Sequence, residues 1–199
     1  MQSILKFVNI AYQCLESLMM WKLRWRGRRM ASREERVYLS VGSNIHPRVQ
    51  NIQQALSRLR AVNGVNVIDE SHWYETQPWG KRDQANFYNV SVSLTTNLTP
   101  EELLDELHTI EQAGHRQRLV HWGPRTIDLD IIFWGDRQIN TATLTIPHAQ
   151  AAKRNFVLLP TAEIAKTDVL VGPQVAQLIA ANQDQSWIKK VRNVSELDD

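Results

Sequence analysis

Residues Ile127 to Trp134 read I-D-L-D-I-I-F-W, an apolar run with two aspartates set at alternate positions. Ile127, Leu129, Ile131, Ile132 and Phe133 mark a strand buried within a sheet. Alternate side chains of a strand share a face, so Asp128 and Asp130 point the same way, ~7 Å apart along the chain. Two like charges this close repel and favour a cation between them. An unpaired acid in such apolar surroundings is costly. Ligation by carboxylate oxygens suits magnesium, which completes its octahedron with water and phosphate oxygens. The plainer alternative is an edge strand whose surface acids are salt-bridged to nearby arginines.

The residues just upstream bear on that choice. His115, Arg116, Arg118, His121 and Arg125 form a basic cluster, and Gly114 and Gly123-Pro124 place it on a loop that can approach a ligand closely. Guanidinium forks pair bidentately with phosphate oxygens. A polyphosphate bridging these arginines to a metal-loaded aspartate pair satisfies both charge sets and points to phosphoryl transfer. The alternative is a solvated loop whose arginines merely neutralise the acids.

The elements around this segment alternate in kind. Arg36 to Val41 is a β-branched and aromatic run ended by Gly42-Ser43-Asn44, and Pro47 opens a helix to about Leu59. A strand is expected over Val65–Glu75, broken by Gln77-Pro78-Trp79-Gly80, and another over Phe87–Thr95. Thr99-Pro100-Glu101-Glu102 starts a helix to about Gln112, with Thr99 as N-cap and acids at the positive end of the dipole. After the Ile127–Trp134 strand come a hairpin arm (Gln138-Ile139, Leu144–Ile146) and helical segments near Ala149–Lys153 and Phe156–Ile164. The order β-α-β-β-α-β predicts an α/β (α+β) ferredoxin-like sandwich, an antiparallel sheet with two helices on one face and additional C-terminal helices.

The net charge of +2 divides unevenly: residues 1–33 carry +6 and residues 34–199 carry −4. The body is thus mildly acidic, which disfavours nucleic-acid binding. Residues 1–33 combine an apolar stretch with Lys22, Arg24, Arg26, Arg28 and Arg29. They are too interrupted to span a bilayer and lack a small-residue cleavage site. They read as an amphipathic helix on acidic lipid, or as sequence upstream of a start at Met30-Ala31-Ser32. The second is favoured, since a compact domain over 34–199 needs nothing before Glu34. Cys14 is the single cysteine, so no internal disulfide forms, which fits the cytoplasm.

The run from Glu111 to Asp130, E-Q-A-G-H-R-Q-R-L-V-H-W-G-P-R-T-I-D-L-D, closely resembles the signature region of the 6-hydroxymethyl-7,8-dihydropterin pyrophosphokinase family. Further resemblances fall in order: Leu39 to Asn44, Tyr74 to Gly80, Phe87-Tyr88-Asn89, Thr145-Ile146-Pro147-His148 and Arg154-Asn155-Phe156. The resemblance covers about residues 36–165. It implies a ferredoxin-like fold and a folate-pathway enzyme that moves pyrophosphate from ATP to the pterin hydroxymethyl group, releasing AMP.

By that resemblance Asp128 and Asp130 hold two magnesium ions, and Arg116 and Arg125 stabilise charge on the transferring group. Arg118 and Trp122 belong to a loop closing over ATP, His148 and Arg154 touch phosphate, and Ile131 and Thr145 lie near the adenosine. Asn89 hydrogen-bonds the pterin between the rings of Phe87 and Phe156, with Thr76 and Trp79 at its edge. The partners implied are these small molecules, and the expected state is a monomer. Gln77 stands where many members have proline, Trp79 where a bulky apolar residue is usual, and Phe87 where tyrosine is frequent. His121 and Ala149 replace a common arginine and tyrosine. The competing reading is a ferredoxin-like RNA-binding module with a basic N-terminal arm, although no RNP-type aromatic pattern marks Val37–Val41 or Phe87–Thr95.

Overall fold

The computed structural model describes residues 35–116, 123–194 and 197. In chain order they form β1 (Val37–Ser43), α1 (Arg48–Ala61), β2 (Val65–Glu70), β3 (Tyr74–Thr76), β4 (Phe87–Thr96), α2 (Pro100–Ala113) and β5 (Asp128–Trp134). A small ribbon of β6 (Ile139–Asn140) and β7 (Thr145–Ile146) follows. Then come a 3-10 turn (Ala151–Lys153), α3 (Asn155–Ala165), α4 (Val171–Ala181) and β8 (Ile188–Lys190). The main sheet runs β5-β1-β4-β3-β8, with β2 also on β4, and every pairing is antiparallel. This is the expected sandwich, with β1 and β4 at its centre.

Helix α2 begins as its residues dictate. Thr99 Oγ1 accepts the Glu102 N–H while the Glu102 carboxylate accepts the Thr99 N–H, a closed capping box with Pro100 at the first turn. Leu103, Leu107 and Ile110 of α2 and Ile52, Leu56 and Leu59 of α1 then bury one face of the sheet against Leu39, Val41, Val90, Val92 and Leu129. Tyr38, Ile132 and Phe133 face the other way, against Val157 and Ala165 of α3 and Val171 and Val175 of α4. The additional C-terminal helices therefore make a third layer on the opposite face.

Three details depart from the sequence pattern. The long second strand divides into β2 and β3, because Ser71 Oγ accepts the Ser91 N–H and takes a place in the ladder. β1 continues through Gly42 and Ser43, which are paired on β4. The segment after Ala165, for which no bounded strand or helix is expected from sequence, forms α4 and the edge strand β8. Among the described residues no helix is long and apolar enough to cross a membrane.

Candidate active site

The register of β1 with its two neighbours builds the floor of a pocket. Tyr38 pairs with Phe133 but Leu39 pairs with Ile131, so Ile132 is an extra residue, a bulge. Beyond it, strict alternation sends Leu129 and Ile131 into the α1–α2 core and turns Asp128 and Asp130 to the α3 face. There Ser40 lies opposite Asp130 and Gly42 opposite Asp128. On its other side Gly42 faces Asn89. A Cβ on Gly42 would meet Asn89 Oδ1 at 2.4 Å, so only glycine lets the asparagine lie across this position. Helix α3 starts beside this floor, and Arg154 and Phe156 at its N-terminus complete the wall.

The charged end is crowded. Asp128 is ion-paired with both Arg116 and Arg125, and Arg116 is also paired with the buried Glu111. Asp130 accepts no hydrogen bond from any described residue. Burial first, then the charge of Asp128, raises its carboxyl well above the ordinary aspartate range, against the pull of Arg154, Arg116 and Arg125. Burial lowers Arg154, which Asp130 and Asp128 partly restore. The Arg154 guanidinium lies 5.0 Å from the Trp79 ring and 5.7 Å from the Phe156 ring, and its Nε is buried without a partner. Burial, followed by the charge of Arg154, pushes His148 down to about 4, so its ring is neutral at pH 7. Its Nδ1 accepts the Gln150 N–H, which puts the proton on Nε2.

The neutral end is a set of completed contacts. Asn89 Nδ2 donates to Thr76 Oγ1 at 2.8 Å, and both are buried. Phe87, Trp79, Gln77, Gln84 and Phe156 line the same pocket. Asn44 ties the two ends together. Its Oδ1 accepts the Arg125 N–H, and its Nδ2 donates to Gln84 Oε1 and to the Ala85 carbonyl.

One pocket thus gathers Thr76, Trp79, Phe87, Asn89, Arg125, Asp128, Asp130, Arg154 and Phe156 from the sequence-predicted set. Arg116 reaches it through Asp128. The Ile131 side chain is buried in the core, Thr145 sits half-buried on β7, and His148 is close enough to Arg154 and Asp128 to feel their charge; none of the three lines the pocket. Arg118, His121, Trp122 and residues 1–33 lie outside the described residues. Ser40, Gly42, Gln84 and Glu111 were not singled out from sequence. Gly42 and Glu111 stand within motifs that carry the family resemblance, and that was their only signal.

The donor set suits a hard cation. Among the described residues no group of three or more Asp, Glu, His or Cys side chains comes together. An ion at Asp128 and Asp130 would draw its remaining ligands from water and substrate oxygens, as magnesium does.

A family model for 7,8-dihydro-6-hydroxymethylpterin-pyrophosphokinase matches residues 38–166. A Synechocystis protein named 2-amino-4-hydroxy-6-hydroxymethyldihydropteridine pyrophosphokinase is 46% identical over 71% of this chain and 73% of its own length. A protein of the same name from Methylorubrum extorquens is 39% identical over 78% of this chain and 98% of its own. A triple mutant of Plasmodium falciparum HPPK-DHPS shares the fold with a TM-score of 0.55 at 15% identity. That alignment covers 74% of this chain and 43% of the larger protein.

Proposed function

Because the chain belongs to the 7,8-dihydro-6-hydroxymethylpterin-pyrophosphokinase family, we propose that the two ends of its pocket divide the family's reaction between them. The chain is an ATP-dependent diphosphokinase that transfers pyrophosphate to hydroxymethyldihydropterin in folate biosynthesis. The neutral end takes the pterin. Asn89, held by Thr76, presents its amide to the ring edge, and Phe87 and Phe156 offer stacking faces. The Thr76–Trp79 backbone borders the ring.

The charged end takes the triphosphate. Asp128 and Asp130 would hold two magnesium ions, which neutralise phosphate charge when bound. Arg116 and Arg125, now paired with Asp128, can turn to the transferring group once a cation claims that carboxylate. Arg154 and the Nε2–H of His148 add contacts to phosphate oxygens. Arg118 and Trp122 are assigned to ATP by resemblance, as are Ile131 and Thr145 at the adenosine end. The pterin hydroxyl oxygen then bonds to the β-phosphorus, the bond from that phosphorus to the α-bridging oxygen breaks, and AMP leaves; the hydroxyl proton is released. Such transfer needs positioning and charge balance more than covalent help from the protein.

The observation that supports this reading is the row Asp128–Gly42–Asn89 across three paired strands, which sets the Asp128 carboxylate in line with the Asn89 amide. The test is AMP formation from ATP, magnesium and hydroxymethyl-dihydropterin, with a control lacking the pterin. Asp128→Ala should abolish it in a protein that still folds, and normal turnover would sink the assignment. Nothing in the pocket favours the RNA-binding alternative. Residues 34–199 are read as the catalytic domain of a cytoplasmic monomer and 1–33 as a basic extension. Liposome co-sedimentation of the 1–199 and 34–199 chains tests whether that extension touches membrane.

A further inference from the structure

Glu111 is the last acid of α2, and its side chain has only 5% of its surface exposed. A carboxylate taken so far from water is costly unless it is fully partnered. One of its oxygens, Oε1, meets both the Arg116 guanidinium and the N–H of Leu129, the latter at 2.8 Å. Leu129 is the residue between Asp128 and Asp130. The other terminal nitrogen of Arg116 faces Asp128. A single carboxylate therefore touches the peptide link between the two aspartates and the arginine that serves the same site.

We propose that Glu111 is a positioning residue for pyrophosphate transfer, setting Arg116 and the Asp128–Asp130 strand at one spacing from the end of α2. This rests on the roles given above to Arg116, Asp128 and Asp130. The two partners of Arg116 behave differently. Asp128 is a carboxylate that a cation would claim, after which it no longer holds the guanidinium. Glu111 lies behind the strand, outside the pocket lining, and keeps its hold while Asp128 changes partner. Without it, Arg116 would be left in a buried place, with its Nε already unpartnered, and free to leave the transfer geometry. The backbone N–H of Leu129 would lose its acceptor as well, loosening the spacing of the aspartates.

Glu111→Gln keeps the size and an acceptor for Leu129 but removes the charge that holds Arg116. In the full chain, kcat for AMP formation should fall by roughly 10–100-fold, the range for residues behind a metal site. The KM for the pterin should stay within about threefold, because Asn89 and Thr76 are untouched. Binding of Mn2+ in the presence of a non-hydrolysable ATP analogue, read by electron paramagnetic resonance, should weaken by about tenfold. In an Arg116→Ala background Glu111→Gln should cost kcat little more, whereas a purely structural role would cost the same in both backgrounds. Glu111→Asp, which keeps the charge but shortens its reach, should also lower kcat, and it decides the matter if the glutamine variant does not fold. Wild-type kcat and Mn2+ affinity in a folded Glu111 variant would overturn the proposal, as would full additivity with Arg116→Ala. If Arg116→Ala itself turns over normally, the role of Arg116 fails first, and this inference falls with it. If Arg116→Ala is crippled but the Glu111 variants are not, only the inference fails.

Discussion

The two ends of the pocket are built on opposite principles. At the neutral end Asn89 and Thr76 satisfy each other, and the aromatic side chains lose nothing by waiting for a ligand. At the charged end two arginines crowd one aspartate while its neighbour accepts no hydrogen bond from any described residue. The first end is stable as it stands. The second is stable only in part, and it gains most from a cation and a phosphate. Recognition of the pterin can thus be a matter of shape and hydrogen bonds, while the energy of reorganising charge is kept for the step that transfers the group.

The largest effect should come from Asp130→Asn. Turnover should fall by at least about 1,000-fold if the carboxylate carries a cation. Stability should move the other way. The raised carboxyl of Asp130 binds a proton in the folded chain at pH values where the unfolded chain, near 3.8, does not. The cost of its charge is therefore greatest at high pH, and it shrinks as pH falls through the raised value. Without metal, Asp130→Asn should be more stable than wild type at pH 8, by about 1–3 kcal/mol, with the gap closing on acidification. Denaturant melts in chelator at several pH values would show this, and equal stability throughout would remove the contrast between the two ends.

Next in size is Asn89→Ala, which deletes the amide and leaves the buried Thr76 hydroxyl without its partner. Stability should drop by about 1–3 kcal/mol. The KM for the pterin should rise by about tenfold or more while that for ATP hardly moves. A matching rise in the ATP KM would mean that the ends are not separable. Gly42→Ala should act on the same partner, since the new methyl group must push Asn89 aside, at a similar cost of about 1–3 kcal/mol of stability but with a milder effect on binding. Its pterin KM should lie between those of wild type and Asn89→Ala.

The smallest effect belongs to a carboxylate outside the pocket. Glu163 accepts hydrogen bonds from Lys190, the His72 backbone and Tyr74, and they hold it down to about 2 despite burial. A depressed carboxylate contributes stability above its unfolded value of 4.5, and that contribution is lost as pH falls toward 2. Glu163→Gln should therefore lower the melting temperature slightly at pH 7, lose that difference in acid, and leave turnover unchanged. Altered kinetics would show that the β3–β8 edge reaches the site.

Much of this was legible in sequence wherever local rules and tertiary needs agreed. The Thr99 capping box, the alternation of Phe87–Thr96 and the shared face of Asp128 and Asp130 depend on residues a few places apart. The break at Ser71 was not, because a serine side chain standing in for a backbone acceptor is invisible without its partner strand. Helix α4 follows the capping Asp168 and spaces Val171, Val175, Leu178 and Ile179 for a helix, but it is short and has glycine in its first turn, and β8 is three residues with two lysines. In the site, the charged cluster was contiguous and readable. Gly42, Ser40 and Gln84 owe their place to strand register and to loop contacts about 40 or more residues away, which composition and spacing do not encode.

The extra residue at Ile132 has a consequence for how this strand can vary. β5 carries two odd–even patterns joined at that point: one seats Phe133 beside Tyr38, the other turns both aspartates outward. Parity, more than residue identity, keeps them compatible. Deleting Ile132 would only remove the bulge, because Tyr38 would still pair with Phe133 and Leu39 with Ile131. Deleting Leu129 would instead set Asp128 next to Asp130, and one of the acids would have to enter the oil of the α1–α2 layer. Substitutions in this strand can be absorbed one at a time, whereas a change in its count by one can be absorbed only at the bulge.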